Sequence, residues 1–287
     1  MALVQIGRPR QQGEEPDITW GHTRAPHNRA PWAKNVLVFT SGKGGVGKST
    51  VAVNVASTLA QRGFVVGILD ADVYGPSVPR MLQVEDERVR WNDDGKMVPA
   101  ENFGMKVMSV GLTMPESDTP LIWRSSVATA AIIQLLDDVA WGPLDYLIID
   151  MPPGTGDVQL TMAQELPITG AVVLTTPQTV ATDDVRRALR MLLEVGVPVK
   201  GVVENMSCFV APDTGVVYRP FGEGGGRMLA EDYGVPFLGE IPLDERIRVA
   251  CDEGTPIAAV GQEGERAVFH GIVDALLTEG RGGAALR

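Results

Sequence analysis

Eight consecutive residues constrain this chain more than anything else in it: Gly42-Lys43-Gly44-Gly45-Val46-Gly47-Lys48-Ser49. They satisfy every fixed position of G-x-x-x-x-G-K-[ST], follow the apolar run Val36 to Phe39, and open an amphipathic stretch from Ser49 to Gln61. A strand, a glycine-rich turn and a helix start make a cradle for phosphate. The turn directs backbone N–H groups inward, and the helix N-terminus adds partial positive charge. The expected ligands are ATP and Mg²⁺. Gly42, Lys43, Gly44, Gly45, Val46, Gly47, Lys48, Ser49 and Thr50 are the expected nucleotide contacts, with Lys48 reaching the β and γ phosphates and Ser49 giving its hydroxyl to the metal. A glycine-rich turn without a ligand would not need Lys48 and Ser49 together.

Further apolar runs lie at Phe64–Leu69, Val107–Val110, Tyr146–Ile149, Ala171–Leu174, Gly201–Val203 and Phe237–Ile241. Helical periodicity marks Ala128–Val139, Thr182–Val195 and Glu263–Thr278. Strands that are apolar throughout must be covered on both faces. The expected fold is therefore α/β: a doubly wound, mostly parallel sheet with helices on both faces. Asn92-Asp93-Asp94-Gly95, between short apolar pieces, predicts a surface hairpin within Val84–Phe103. Residues 1–33, rich in proline and glycine without periodicity, read as a flexible tail, 34–280 as the folded domain and 281–287 as a second tail. His22 and His27 fall in the first tail and receive no role.

Two carboxylate clusters follow strands, where a parallel sheet places its ligands. Asp72 lies in Leu69-Asp70-Ala71-Asp72, and Asp150 ends Leu147-Ile148-Ile149-Asp150. Either alone would read as a helix cap or loop carboxylate. Beside the phosphate loop, Asp150 reads as a Mg²⁺ carboxylate acting through water. Asp72 reads as the residue that orients the attacking water and shares the metal's solvent shell. Gly154 and Gly156, just downstream, suit a segment that moves when the γ-phosphate leaves.

A formal net charge of −11 argues against a broad electrostatic grip on nucleic acid or anionic lipid. No apolar run approaches the roughly 20 residues needed to span a bilayer, and no signal peptide pattern opens the chain. With only Cys208 and Cys251, a disulfide framework is not expected either. These features predict a cytoplasmic protein.

Lys43 gives the loop the order Lys-Gly-Gly-Val-Gly-Lys, which resembles the deviant Walker A signature of the SIMIBI-class P-loop ATPases. The resemblance implies a homodimer in which Lys43 crosses the interface to the partner's nucleotide, making Asp72, Lys43 and Lys48 the catalytic set. It makes Asp150 the Walker B aspartate and Asn205 an adenine contact. Within the class, Asp70–Ser77, Asp150–Asp157, Glu204–Ser207 and Phe221–Gly226 are similar to the Mrp/ApbC (NBP35-like) subfamily, over about Lys34 to Ile257. That subfamily implies an ATP-hydrolysing iron–sulfur carrier that delivers clusters to apoproteins, with a [4Fe–4S] cluster at the dimer interface.

The expected Cys-x-x-Cys pair falls on Ala211 and Thr214, and neither side chain supplies a thiolate. Cys208, three residues upstream, is the remaining iron–sulfur candidate, and it reads equally as a small buried apolar residue. Two copies in a dimer would still fall short of four ligands. The alternative is a positioning or partner-switch ATPase of the MinD/ParA kind, without a cluster. It would need a basic face such as Arg186, Arg187 and Arg190, or an amphipathic anchor such as the last helix, which is acidic.

Overall fold

The computed structural model describes residues 29–113 and 125–282. The first strand, β1 (Ala33–Ser41), has buried residues on both faces: Leu37 and Phe39 join one core, Val36 and Val38 the other. Period-2 geometry sends alternate side chains to opposite layers, so an unbroken apolar run means two covered faces. α1 (Lys48–Gln61) follows, then β2 (Val66–Asp70), the single turn α2 (Val78–Met81), and β3 (Arg90–Trp91) paired antiparallel with β4 (Met97–Val98). The β3–β4 turn is the expected hairpin, closed by Gly95 N–H to Asn92 O at 3.0 Å and Lys96 N–H to Asn92 Oδ1 at 2.8 Å.

β5 (Ala100–Asn102) and β6 (Met105–Ser109) return to the main sheet. After them come α3 (Ser125–Asp137), β7 (Leu144–Asp150), α4 (Asp157–Glu165), β8 (Gly170–Thr175), α5 (Thr179–Glu194) and β9 (Val199–Asn205). The small hairpin β10 (Phe209–Val210) and β11 (Val217–Tyr218) precedes α6 (Gly225–Tyr233), β12 (Phe237–Ile241), α7 (Glu245–Asp252), α8 (Ile257–Val260) and α9 (Glu263–Gly282).

Eight strands form one sheet in the order β12-β9-β8-β1-β7-β2-β6-β5. Every pairing is parallel except β5 with β6. This is the expected doubly wound sheet. β1 lies inside it, between β7 and β8, so the chain leaves to one side through β2 and β6 and later builds the other side through β8, β9 and β12. Such a reversal leaves a crevice at the carboxyl end of the central strand, which is where β1 delivers Gly42.

One face is covered by α1 and α9, whose Val55, Leu59, Phe269, Ile272 and Leu276 are buried against the sheet. The other is covered by α3 to α6, with Ile132, Met162, Leu189 and Leu229 inward. Each such side chain contributes about 2 kcal/mol of burial. Packing begins slightly upstream of β1, where Ala30 is buried and Trp32 stacks on Trp141 at 5.7 Å. His22 and His27 lie outside the described residues, and so do 283–287 of the closing segment.

Candidate functional site

The residues from Ser41 to Thr50 wrap a cavity of about 200 Å³ that also takes in Asp72, Ser77, Met81 and Pro153. Two glycines are fixed by geometry. Gly47 has φ +83° at the start of α1, and a Cβ there would lie 2.2 Å from Asn205 Nδ2. A Cβ on Gly42 would lie 2.4 Å from the Asp184 backbone in α5, so only glycine lets β1 pass that close to the helix.

Four of the sequence-predicted side chains converge. Lys48, nearly buried, places Nζ 2.7 Å from Asp150 Oδ1 and 3.6 Å from Asp72 Oδ2. Ser49 Oγ donates to Asp150 Oδ2 at 2.5 Å. Asp150 is fully buried at the end of β7, and burial raises its carboxyl above the usual range even against the Lys48 charge. A carboxylate in that position demands a cation, and Lys48 Nζ supplies one. Parallel register brings these groups together: Asp70 pairs with Asp150 across β2 and β7, while Phe39, three residues before the loop, pairs with Asp150 across β1 and β7.

Asp70 is a residue that sequence reasoning left without a part. It is fully buried, and burial, with the nearby Asp150 charge, pushes its carboxyl up to about 7. Its oxygens accept from Asp72 N–H, Val78 N–H and Ser109 Oγ, each at 3.1 Å. Asp70 thus ties down the turn that presents Asp72. Its position directly after four strand residues was the available signal, because a strand-end carboxylate of that kind faces inward.

Asn205 ends β9 and reaches beneath the loop, Nδ2 donating to Val46 O at 2.8 Å, while Oδ1 accepts Met206 N–H at 2.9 Å. Met206 takes φ +56°, a strained turn that carries the chain off the sheet. Lys43 lies on the cavity rim, its carbonyl accepting from Ser41 Oγ at 2.9 Å.

Cys208, Ala211 and Thr214 sit elsewhere, around the β10–β11 hairpin. Cys208 is half-buried just before β10. Ala211 and Thr214 occupy the hairpin turn, closed by Gly215 N–H to Ala211 O at 2.8 Å and Ala211 N–H to Val216 O at 2.9 Å. Cys251 is buried in α7, where desolvation raises its thiol. Among the described residues no group of three or more His, Cys, Asp and Glu side chains is arranged to hold a metal ion, and no helix is long and apolar enough to cross a membrane.

Comparison with known proteins matches this architecture. A family model described as ParA: NUBPL iron-transfer P-loop NTPase matches residues 32–277. The iron-sulfur cluster carrier protein of Deinococcus radiodurans is 55% identical over 226 residues, covering 79% of this chain and 64% of that protein. This chain therefore spans less than two thirds of that relative's length. The protein of the same name from Pyrococcus abyssi is 47% identical over 266 residues, covering 89% of this chain and 90% of its own. Among solved structures, a nucleotide-binding protein of Archaeoglobus fulgidus in complex with ADP, with cobalt, has a TM-score of 0.73 and 36% identity, covering 84% of this chain and 94% of that one. The cell division ATPase MinD of Pyrococcus furiosus, at 22% identity and TM-score 0.61, shares the fold. With its phosphate loop, its converging carboxylates and a match over nearly all its described length, the chain belongs to the NUBPL iron-transfer family of ParA-type P-loop NTPases.

Proposed function

We propose that the chain binds ATP with Mg²⁺ in the cavity beyond β1, hydrolyses it, and as a homodimer uses that cycle to carry iron–sulfur clusters to recipient apoproteins. The observation carrying the nucleotide half is the convergence of Lys48, Ser49 and Asp72 on one small cavity, with Asp150 bonded to Lys48 and Ser49 from behind. Backbone N–H groups from Gly42 to Thr50 would hold the phosphates, with Lys48 countering β and γ charge. Ser49, Asp150 and Asp72 form a donor set of hard oxygens that suits Mg²⁺, whose charge, when bound, would offset that of the phosphates. Asp72 would orient the attacking water. Asn205 would contact adenine, and Lys43, on the rim, would reach a second copy's nucleotide.

The cargo half rests on the relatives' names, and the chain's own chemistry limits it. Ala211 and Thr214 give the hairpin no thiolate, so a [4Fe–4S] cargo would rest on Cys208 from each protomer plus ligands from a partner protein. The positioning alternative loses both of its footholds. Arg186 pairs with Asp232, Arg187 with Asp184, and Arg190 donates to Tyr233 Oη, while the apolar face of α9 is spent on the core. The reading is of a cytoplasmic carrier without nucleic-acid or membrane partners.

Anaerobic reconstitution with iron and sulfide tests it, followed by transfer to an apo-ferredoxin with and without ATP. Cluster bound per dimer, lost in Cys208→Ser and released faster with ATP, is the expected result. Absence of cluster absorbance, or binding indifferent to Cys208→Ser, would reject the Cys208 assignment.

A further inference from the structure

The loop after Asp150 is held by a contact that the nucleotide reading does not use. Gln159, in the first turn of α4 and only 5% exposed, donates Nε2–H to the Pro153 carbonyl at 2.6 Å. Pro153 lines the phosphate cavity, with its ring about 4.0 Å from where a Gly44 side chain would begin. The next peptide is also tied, for Gly154 N–H donates to Ser41 O at 2.9 Å. Ser41, fully buried at the end of β1, turns its hydroxyl to the Lys43 carbonyl at 2.9 Å. An unbroken series of contacts thus runs Gln159, Pro153, Gly154, Ser41, Lys43.

We propose that Gln159 is a positioning residue that holds the Pro153 peptide against the phosphate loop and, through Gly154 and Ser41, fixes the backbone of Lys43. The proposal rests on the ATP-hydrolysis reading above. A segment reading Pro153-Gly154-Thr155-Gly156 has little side-chain bulk with which to hold itself, and Gly156, the residue that caps α4, gives it no side-chain cap. The buried Gln159 amide and the Gly154 N–H therefore set its position together. Leaving a buried donor or acceptor unpaired is costly, so the latch opens only when another partner replaces it. Glutamine suits the task because its amide N–H points a donor at the carbonyl, whereas glutamate would set negative charge against it and leucine would offer nothing. Reaction rate depends on placement far more steeply than ligand affinity does, so a slack loop should injure turnover before binding.

The test uses the full chain with Gln159→Leu, Gln159→Glu and Ser41→Ala, reading fluorescent ATP-analogue affinity, steady-state ATPase and amide hydrogen exchange. Both Gln159 variants should lose about tenfold in kcat with affinity within about twofold of the parent, and their Gly154 amide should exchange faster. Ser41→Ala, which keeps the backbone carbonyl, should lower kcat with Gly154 protection intact. Unchanged kcat and unchanged Gly154 exchange in Gln159→Leu would overturn the proposal. So would affinity, kcat and Tm falling in step, which is what a purely structural glutamine would give. If the parent chain turns over no ATP, the hydrolysis reading fails by itself, and Gly154 exchange in the nucleotide-free protein still decides whether Gln159 is the latch.

Discussion

The phosphate cavity and the β10–β11 hairpin stand at opposite extremes of the same molecule. Lys48 at the cavity wall and Asp70 and Asp150 behind it are buried, and every one of them is bonded to a neighbour. In the hairpin, Phe209, Val210, Val217 and Tyr218 are exposed on two strands of two residues each, and Val216 is exposed just before the second. The first region holds fixed charges at set distances, which phosphate chemistry requires because the dipoles must already point where charge develops. The second offers apolar surface and one nearby thiol. The charged groups are fixed where α1 meets the ends of β2 and β7, while the hairpin is left open and short of thiolates.

Lys48→Ala should have the largest effect, costing about 100-fold or more in ATP affinity by equilibrium titration. It also leaves Asp150 buried without its ion-pair partner, a loss of about 3 kcal/mol that thermal melting would register. Alkylation of Cys208 should proceed at the parental rate in that variant; a changed rate would break the separation between the two regions. Next, Ala211→Cys with Thr214→Cys would complete the missing thiolate pair. Iron bound per dimer after reconstitution should rise at least about twofold, with ATPase activity unaltered, since four thiolates then become available from two chains. Iron content equal to the parent's would show that the hairpin turn does not present ligands.

A smaller contrast separates the two thiols. Cys208 is half-buried, whereas Cys251 is buried with its thiol pushed up by desolvation, so iodoacetamide should modify Cys208 about tenfold faster. Equal rates would mean that α7 opens readily. The smallest effect concerns His270, which burial and the charges of Arg62 and Arg266 hold below the ordinary value of 6.5. The folded state then binds fewer protons than the unfolded state as pH falls through that value, so this group's contribution to stability is present above it and lost below it. Melting temperatures between pH 7 and 5.5 should decline slightly less in His270→Asn than in the parent.

Much of the sheet was readable because its central strands are covered on both sides. Val36–Phe39 and Tyr146–Ile149 had to be apolar throughout, and the phosphate loop fixed which strand came first. The meeting of Lys48, Asp72 and Asp150 was readable for the same reason, since parallel strands deliver their carboxyl ends to one edge. Less visible were α4 and α6, each of nine residues, in which only Val158, Met162 and Ala163, or Leu229 and Ala230, supply buried apolar side chains. That is too few to establish a 3.6-residue period. Gln159 and Ser41 were invisible for another reason: their partners lie in backbone carbonyls, which carry no sequence signature. Asp70 and Asp72 share one short segment, and their hydrogen bonds and ion pair show that Asp70 anchors the turn while Asp72 meets Lys48.

The place of β1 has a consequence for how the protein is made. Val36 pairs with Leu147 on one side and Leu37 with Gly170 on the other, so the strand that leads into the phosphate loop has no neighbours until β7 and β8 have been made. A nascent chain that stops short of β7 would display an apolar strand with two bare edges, the condition in which nascent chains associate wrongly. Nucleotide can therefore act as a folding ligand only late, after β8 has cleared the exit tunnel.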